Sequence, residues 1–345
     1  MYNFKVLMGL VFTMILFVSA CNSEGDTNAD DSSDESNNTE ESVVLDLSIP
    51  EPEGAKFDVT AKALDEKLDE ISNGTMSINI HYNNSLGGER EVFELMSNNS
   101  VDMAIQSAGP MVNWVDEFSI FDLPFLFENL DHAHAVMDSE IGDELAQSFE
   151  DATNVKTLGW VENGFLATSS NNLIENVDDV AGLDIRVQEN ELQIDSWNAF
   201  GASPTPMAWP EVYTSLQQGV IDAHSNSLAT IQTSQIFEVQ SNVVILEDRY
   251  APAPIAISKA TYDGLTEEQQ GYLDEAGGYA VEIGRQANQE KIDEARDFIV
   301  ENGVEINELD EAGRQSFIDQ TEPVYEKWAP VIGEDLIERV RETEY

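Results

Sequence analysis

The sequence predicts an α/β protein built as two lobes, and three observations carry that prediction. At 345 residues the chain exceeds the size at which a single hydrophobic core keeps growing. Short apolar strands alternate with amphipathic helices, the pattern of parallel βαβ units. Finally, EVFELMSNNSVDMAIQS (91–107) lies without a gap over EVYTSLQQGVIDAHSNS (211–227). Glu91/Glu211, Val92/Val212, Asp102/Asp222 and Ser107/Ser227 are identical; Phe93/Tyr213, Met96/Leu216, Val101/Ile221 and Gln106/Asn226 are similar. Each copy reads as helix, turn and strand with polar last residues. If this is a true repeat and not chance similarity, each lobe presents an amide side chain at a strand's end, where open α/β sheets bind ligands.

Before the folded part comes a leader. Lys5 is the only charge in residues 1–20, and the apolar run Val6 to Ala20 is shorter than a membrane-spanning helix. Small residues precede the sole cysteine in VSAC, which resembles a bacterial lipobox and implies lipidation at Cys21; a buried thiol or an ordinary cleavage site near Ala20 are the alternatives. Residues 21–42 are polar and acidic and are expected to form a disordered tether.

Sixteen basic residues face 67 acidic ones, and the net charge of −51 becomes −52 once Lys5 leaves with residues 1–20. Such a surface excludes nucleic acid and anionic lipid as partners. The acids spread along the whole chain, which suits a protein working in high salt, where screening shortens the Debye length to about 3 Å at 1 M. A halophilic source is expected.

Taken in order, VVLDLSI reads as a strand, AKFDVTAKALDEKLDEISNG as an amphipathic helix closed by Asn73 and Gly74, and MSINIHY as a strand. GGEREVFELMSNN is a second helix and VDMAIQS a third strand. Pro210 after Trp209 opens a short helix that Gly219 ends. The capping-box spacing TEEQ (266–269) starts one long helix to about Val300, and helical stretches follow near 310–320 and 323–342.

In GLDIRV (182–187), Leu183, Ile185 and Val187 alternate with Asp184 and Arg186, so a strand turns the apolar three to one face and the arginine to the other. Most other arginines sit in helices among glutamates and read as solvated. Arg186 has no such setting; an ion pair with Asp184 or a neighbouring strand is the structural explanation.

The order G-x-x-I-R-V, G-A-S-P-T-P-M, E-V-Y, L-Q-x-G-x-I-D and an asparagine resembles the substrate-binding proteins of TRAP transporters, the DctP family. So do SLGGEREVFELMSNNSVDMAI and FDLPFLF, and the resemblance covers nearly all of the folded chain. It implies a two-lobed periplasmic-binding-protein-like fold with a long C-terminal helix bridging the lobes. The expected division is 43–163 with 252–300 for lobe I and 164–251 with 301–345 for lobe II. It further implies an extracytoplasmic protein that closes on its ligand and delivers it to a sodium-coupled permease, with no cofactor. By the same resemblance Arg186 pairs a ligand carboxylate, Asn226 supplies an amide contact and Trp209 a pocket wall; Gln106 and Ser107 complete the expected site. A guanidinium fork fits a carboxylate with two parallel hydrogen bonds, which lysine cannot imitate.

The chain departs from the pattern at Leu166, where many relatives carry a second arginine, and at Ser225, where they often carry an acid. The departure makes Arg186 the main cation available to the ligand. It favours a ligand with one carboxylate and a partly apolar or zwitterionic body over a sialic acid or C4-dicarboxylate. His132 and His134, at i and i+2, point to different sides of a helix and make a poor metal pair, so no metal is expected. No nucleophile elbow or phosphate loop is present, and no catalytic residue is expected. A signalling lipoprotein of the same fold and, more remotely, a secreted hydrolase are the competing functions. A monomer anchored only through lipid is expected.

Overall fold

The computed structural model describes residues 42–345. The leader, Cys21 and all but the last residue of the tether lie outside the described residues. No helix among them is long and apolar enough to cross a membrane.

The chain begins β1 (Val43–Ser48), α1 (Lys56–Ile71), β2 (Met76–His81), α2 (Glu89–Ser97) and β3 (Met103–Ile105), as the alternation predicts. Two 3-10 turns, Gly109–Asn113 and Asp116–Asp122, lead to α3 (Leu130–Met137), α4 (Glu140–Thr153) and the long β4 (Val155–Phe165). Then follow β5 (Ala167–Ser170), β6 (Asp184–Val187), α5 (Glu191–Ala199), β7 (Ser203–Pro206), α6 (Val212–Gln218), β8 (Ala223–Asn226), α7 (Leu228–Thr233) and β9 (Asn242–Ile245). The tail is β10 (Tyr250–Ser258), α8 (Lys259–Gly264), α9 (Glu267–Glu301), β11 (Glu305–Glu308), α10 (Glu311–Ile318), α11 (Glu322–Ile332) and α12 (Glu334–Arg341).

These strands form two sheets, β2-β1-β3-β10-β4 and β11-β9-β5-β8-β6-β7, one in each lobe. The chain leaves the first sheet between Phe165 and Ala167 and returns after β9, so both crossings lie side by side where Tyr250 pairs Phe165. Alternation covers both faces of each sheet. In β10, Ala253, Ile255 and Ile257 join the core under α1 and α9, while Tyr250 and Ala256 join the opposite core with Phe93, Phe118 and Phe149.

The two repeat copies occupy equivalent places. β3 pairs β1 in parallel and β10 antiparallel; β8 pairs β6 in parallel and β5 antiparallel.

The capping box forms as read: Thr266 accepts from the Gln269 amide and Gln269 reaches back. At 1.5 Å per residue the 35-residue α9 is about 52 Å long. It buries Leu273, Ala276 and Ala280 against the first sheet and Ala295 and Ile299 against the second, and so ties the lobes together. The close approach of α9 to α1 and β4 requires Gly284, where an added Cβ would lie 2.6 Å from Thr60 Oγ1 and 2.8 Å from Val161 Cγ1. Gly284→Ala is expected to destabilise by about 1–2 kcal/mol, since overpacking costs more than the helix gains. Gly278→Ala, on the same helix with nothing within 4 Å, should stabilise slightly. Urea midpoints of the pair decide this.

The helical stretch expected over 323–342 is broken at Gly333, whose φ of +104° ends α11. Val324, Ile332, Ile337 and Val340 enter the core with Phe118 and Phe121, while Trp328 Nε1 of α11 donates to Asp195 of α5 at 2.7 Å. Of the three last helices, α10 joins the second-sheet core, through Phe317.

Candidate functional site

A cleft between the sheets has about 560 Å³ of atom-free space, part of it open to solvent, and is lined by residues of both lobes. Its wall from the second lobe starts with β6. Leu183, Ile185 and Val187 sit in the core beneath, and Arg186 points the other way into the cleft, only 5% exposed. The pair with Asp184 does not form. Instead Arg186 Nε donates to the Met207 carbonyl at 2.9 Å, and the guanidinium carbon lies 5.6 Å from the centre of the Trp209 ring. That is its only hydrogen bond among the described residues. Its outer nitrogens are therefore uncommitted and its angle is fixed. Burial pulls its pKa down to about 10 and Glu89 pulls it back up, so it stays charged at neutral pH.

Trp209 is the first residue of the 3-10 turn (Trp209–Glu211) that leads into α6, and its ring leans on His224, 5.8 Å between centres. His224 is fully buried; Nδ1 meets Ser169 Oγ at 2.7 Å and Nε2 has no partner among the described residues. Burial first, then Arg186, drive its pKa down to about 3, leaving a neutral ring under the site. Because the folded value lies below the ordinary 6.5, this contribution to stability is complete above pH 6.5 and is lost as pH falls toward 3. His224→Gln is expected to flatten the acid side of the stability curve by up to one proton, about 1.4 kcal/mol per pH unit, in urea titrations from pH 7 to 4.

Asn226 ends β8. Its Oδ1 accepts from Asn163 Nδ2 at 2.6 Å and from the Ser227 amide at 2.9 Å, which leaves Nδ2 as a donor for the cleft. Ser107 also lines the cleft and accepts from Gln188 Nε2 at 3.2 Å across it. Gln106 does not line it. Neighbours on an extended chain face opposite ways, and Gln106 lies fully buried, 3.5 Å from Ser48 Oγ with Oε1 unpartnered. The repeat pairs Gln106 with Asn226, but of the two only the second copy's amide lines the cleft.

Leu166 stands in the wall, 5% exposed. A second cation is nevertheless present, although unlike Arg186 it is already paired with carboxylates. Arg249, at the crossing back into β10, lines the cleft with 5% exposure. Its Nη1 pairs Asp248 at 3.0 Å and its Nε lies 3.7 Å from Asp122. Burial pushes the Asp122 carboxyl up to about 6 against the pull of Arg249, although Gln193 and Asn190 both donate to it. Arg249, like Arg186, sits outside any helical charge pattern, and that was the available signal.

Three further lining groups come from the first lobe or face it. Glu89, in the first turn of α2, accepts from Gln188 Nε2 at 3.2 Å; burial raises its pKa and Arg186 opposes the rise. Glu51 pairs Lys56, both nearly inaccessible. Lys56 Nζ also donates to Thr230 Oγ1 at 2.8 Å, and Asn163 Oδ1 lies 3.2 Å from that hydroxyl. A polar chain thus runs from α1 through Thr230 of α7 and Asn163 to Asn226.

His132 and His134 part company, one on the Val340 carbonyl and the other on Glu162. Among the described residues no group of three or more His, Cys, Asp or Glu is arranged to hold a metal ion.

Residues 51–330 match the family model DctP, bacterial extracellular solute-binding protein, family 7. A solute-binding protein of Verminephrobacter eiseniae is 32% identical over 84% of each chain. A TRAP periplasmic solute-binding protein of Polaromonas sp. JS666 bound to D-erythronate superposes with a TM-score of 0.84 at 29% identity, over 88% of this chain and 99% of that one. Its counterpart from Pseudomonas putida F1, with bound D-glucuronate, gives 0.84 at 28% over 88% and 98%.

Proposed function

Since the chain belongs to the DctP family of bacterial extracellular solute-binding proteins, we propose that it captures a small organic carboxylate between its lobes and delivers it to a sodium-coupled TRAP permease. The observation that carries this is the convergence of the uncommitted Arg186 nitrogens and Asn226 Nδ2 on one cleft. The guanidinium takes the carboxylate as a fork and the amide takes a second acceptor of the ligand. Trp209 orients the arginine and closes the wall, and Ser107 contributes a hydroxyl from the first lobe. The bound D-erythronate and D-glucuronate of the two relatives are both carboxylates, which supports the class.

The lobes we propose are 43–165 with 250–290 and 322–345, and 166–249 with 291–321. They follow the sheets and the packing of α11 and α12. The VSAC segment supports a leader ending at residue 20 and a diacylated Cys21 that holds a monomer at the outer face of the membrane. The charge of −51, spread along the chain, supports a halophilic setting.

A thermal-shift screen of organic carboxylates tests the reading. Saturation at 100 times the dissociation constant adds about 2.7 kcal/mol and raises the melting temperature. If no carboxylate raises it, the reading falls.

A further inference from the structure

We infer that the ligand is a zwitterion, a carboxylate that also carries a cationic nitrogen, with the carboxylate on Arg186 and the cation at Glu89. The inference rests on the carboxylate reading above and adds the ligand's second charge.

Glu89 and Arg186 line the same cleft from different lobes. They are close enough to influence one another, yet no ion pair within 4.0 Å joins them. Among the described residues Glu89 accepts one neutral hydrogen bond, from Gln188, and Arg186 spends only Nε. Among the described residues the other charged groups lining the cleft itself are paired: Glu51 with Lys56, and Arg249 with Asp248 and Asp122. The site therefore holds one uncommitted cation and one uncommitted anion, set apart and facing common space.

The sum of charges points the same way. Lys56, Arg186 and Arg249 face Glu51, Glu89, Asp122 and Asp248, three positive against four negative. A simple monoanion on Arg186 would take away the charge that offsets Glu89 and leave that carboxylate beside another anion in a space poor in water. A zwitterion satisfies both ends and leaves the sum unchanged. The mouth of the cleft adds Glu91, Glu94, Glu189 and Glu211 against Arg90, a field that draws a positive end inward and repels a plain anion.

The test uses the mature protein and probes matched except for the nitrogen charge. Glycine betaine is compared with 3,3-dimethylbutanoate, 4-aminobutanoate with 4-hydroxybutanoate, and a panel of amino acids, betaines and cyclic amidinium carboxylates with their nitrogen-free counterparts. D-Glucuronate represents the hydroxy acids. Thermal shift ranks the probes and calorimetry measures those that bind. At least one zwitterion should bind ten times more tightly than its counterpart, and Glu89→Gln should reduce that preference at least tenfold. Counterparts that bind as well as the zwitterions in the parent protein overturn the inference without recourse to any variant. Stabilisation by D-glucuronate or other hydroxy acids alone overturns it too, with Glu89 then accepting a hydroxyl and the carboxylate reading intact. No stabilisation by any probe overturns both readings.

Discussion

Replacing Arg186 with lysine is expected to abolish ligand-induced thermal stabilisation while leaving the ligand-free melting temperature within a few degrees of the parent. The guanidinium is held at Nε by the Met207 carbonyl and braced against Trp209, so its two outer nitrogens reach the cleft at a fixed angle. A lysine has one nitrogen for both tasks: it can satisfy the carbonyl or reach the ligand, not both. Truncating one side of a buried, hydrogen-bonded charge pair costs about 2–5 kcal/mol, a loss of roughly 30-fold to several thousandfold in affinity. Calorimetry against the strongest ligand found for the parent protein checks the result. A lysine variant that bound within threefold of the parent would remove Arg186 from the site. The opposite outcome, a variant that no longer folds, would show that the buried cation has a mainly structural role.

Arg186 could be placed from the sequence because its direction is a local property. Leu183, Ile185 and Val187 need only the period of a strand to send the arginine to the opposite face. The capping box at Thr266 and the length of α9 were readable for the same reason: a helix start is written in four consecutive residues. What the sequence hid is long-range. Arg249 enters the cleft because β10 returns beside β4, and its partner Asp122 is over a hundred positions away. Lys56 reads as one more charge on an amphipathic helix until α7 brings Thr230 to it. Gln106 stays out of the cleft wall because the repeat preserves the order of elements but not the residue at which each strand end faces the cleft. The destination of α11 and α12 was hidden likewise, since an apolar stripe of Val324, Ile337 and Val340 does not say which sheet it will cover.

The largest loss of stability is expected from Glu51→Gln. Glu51 and Lys56 are 3% and 1% exposed, and the carboxylate also accepts from the Phe57 amide at 3.1 Å. A glutamine can keep that amide bond, but it leaves the ammonium buried without a counter-charge. Breaking a buried pair from one side costs about 3–5 kcal/mol, and at roughly 2–4 °C per kcal/mol the melting temperature should fall by about 6–20 °C. Adding Lys56→Met removes the stranded charge with a side chain of similar length, so the double variant should recover most of the loss. What it does not recover is the hydrogen bond from Lys56 to Thr230, through which α1 reaches Asn163 and the Asn226 oxygen; only the longer contact of Thr230 with residue 51, at 3.2 Å, is left. Stability and affinity are therefore expected to separate. The double variant should melt near the parent and bind its ligand more weakly, because Asn226 is less firmly held with Nδ2 toward the cleft. If both quantities recover together, the buried pair serves the fold alone. If neither recovers, the methionine does not fill the space that the lysine occupies.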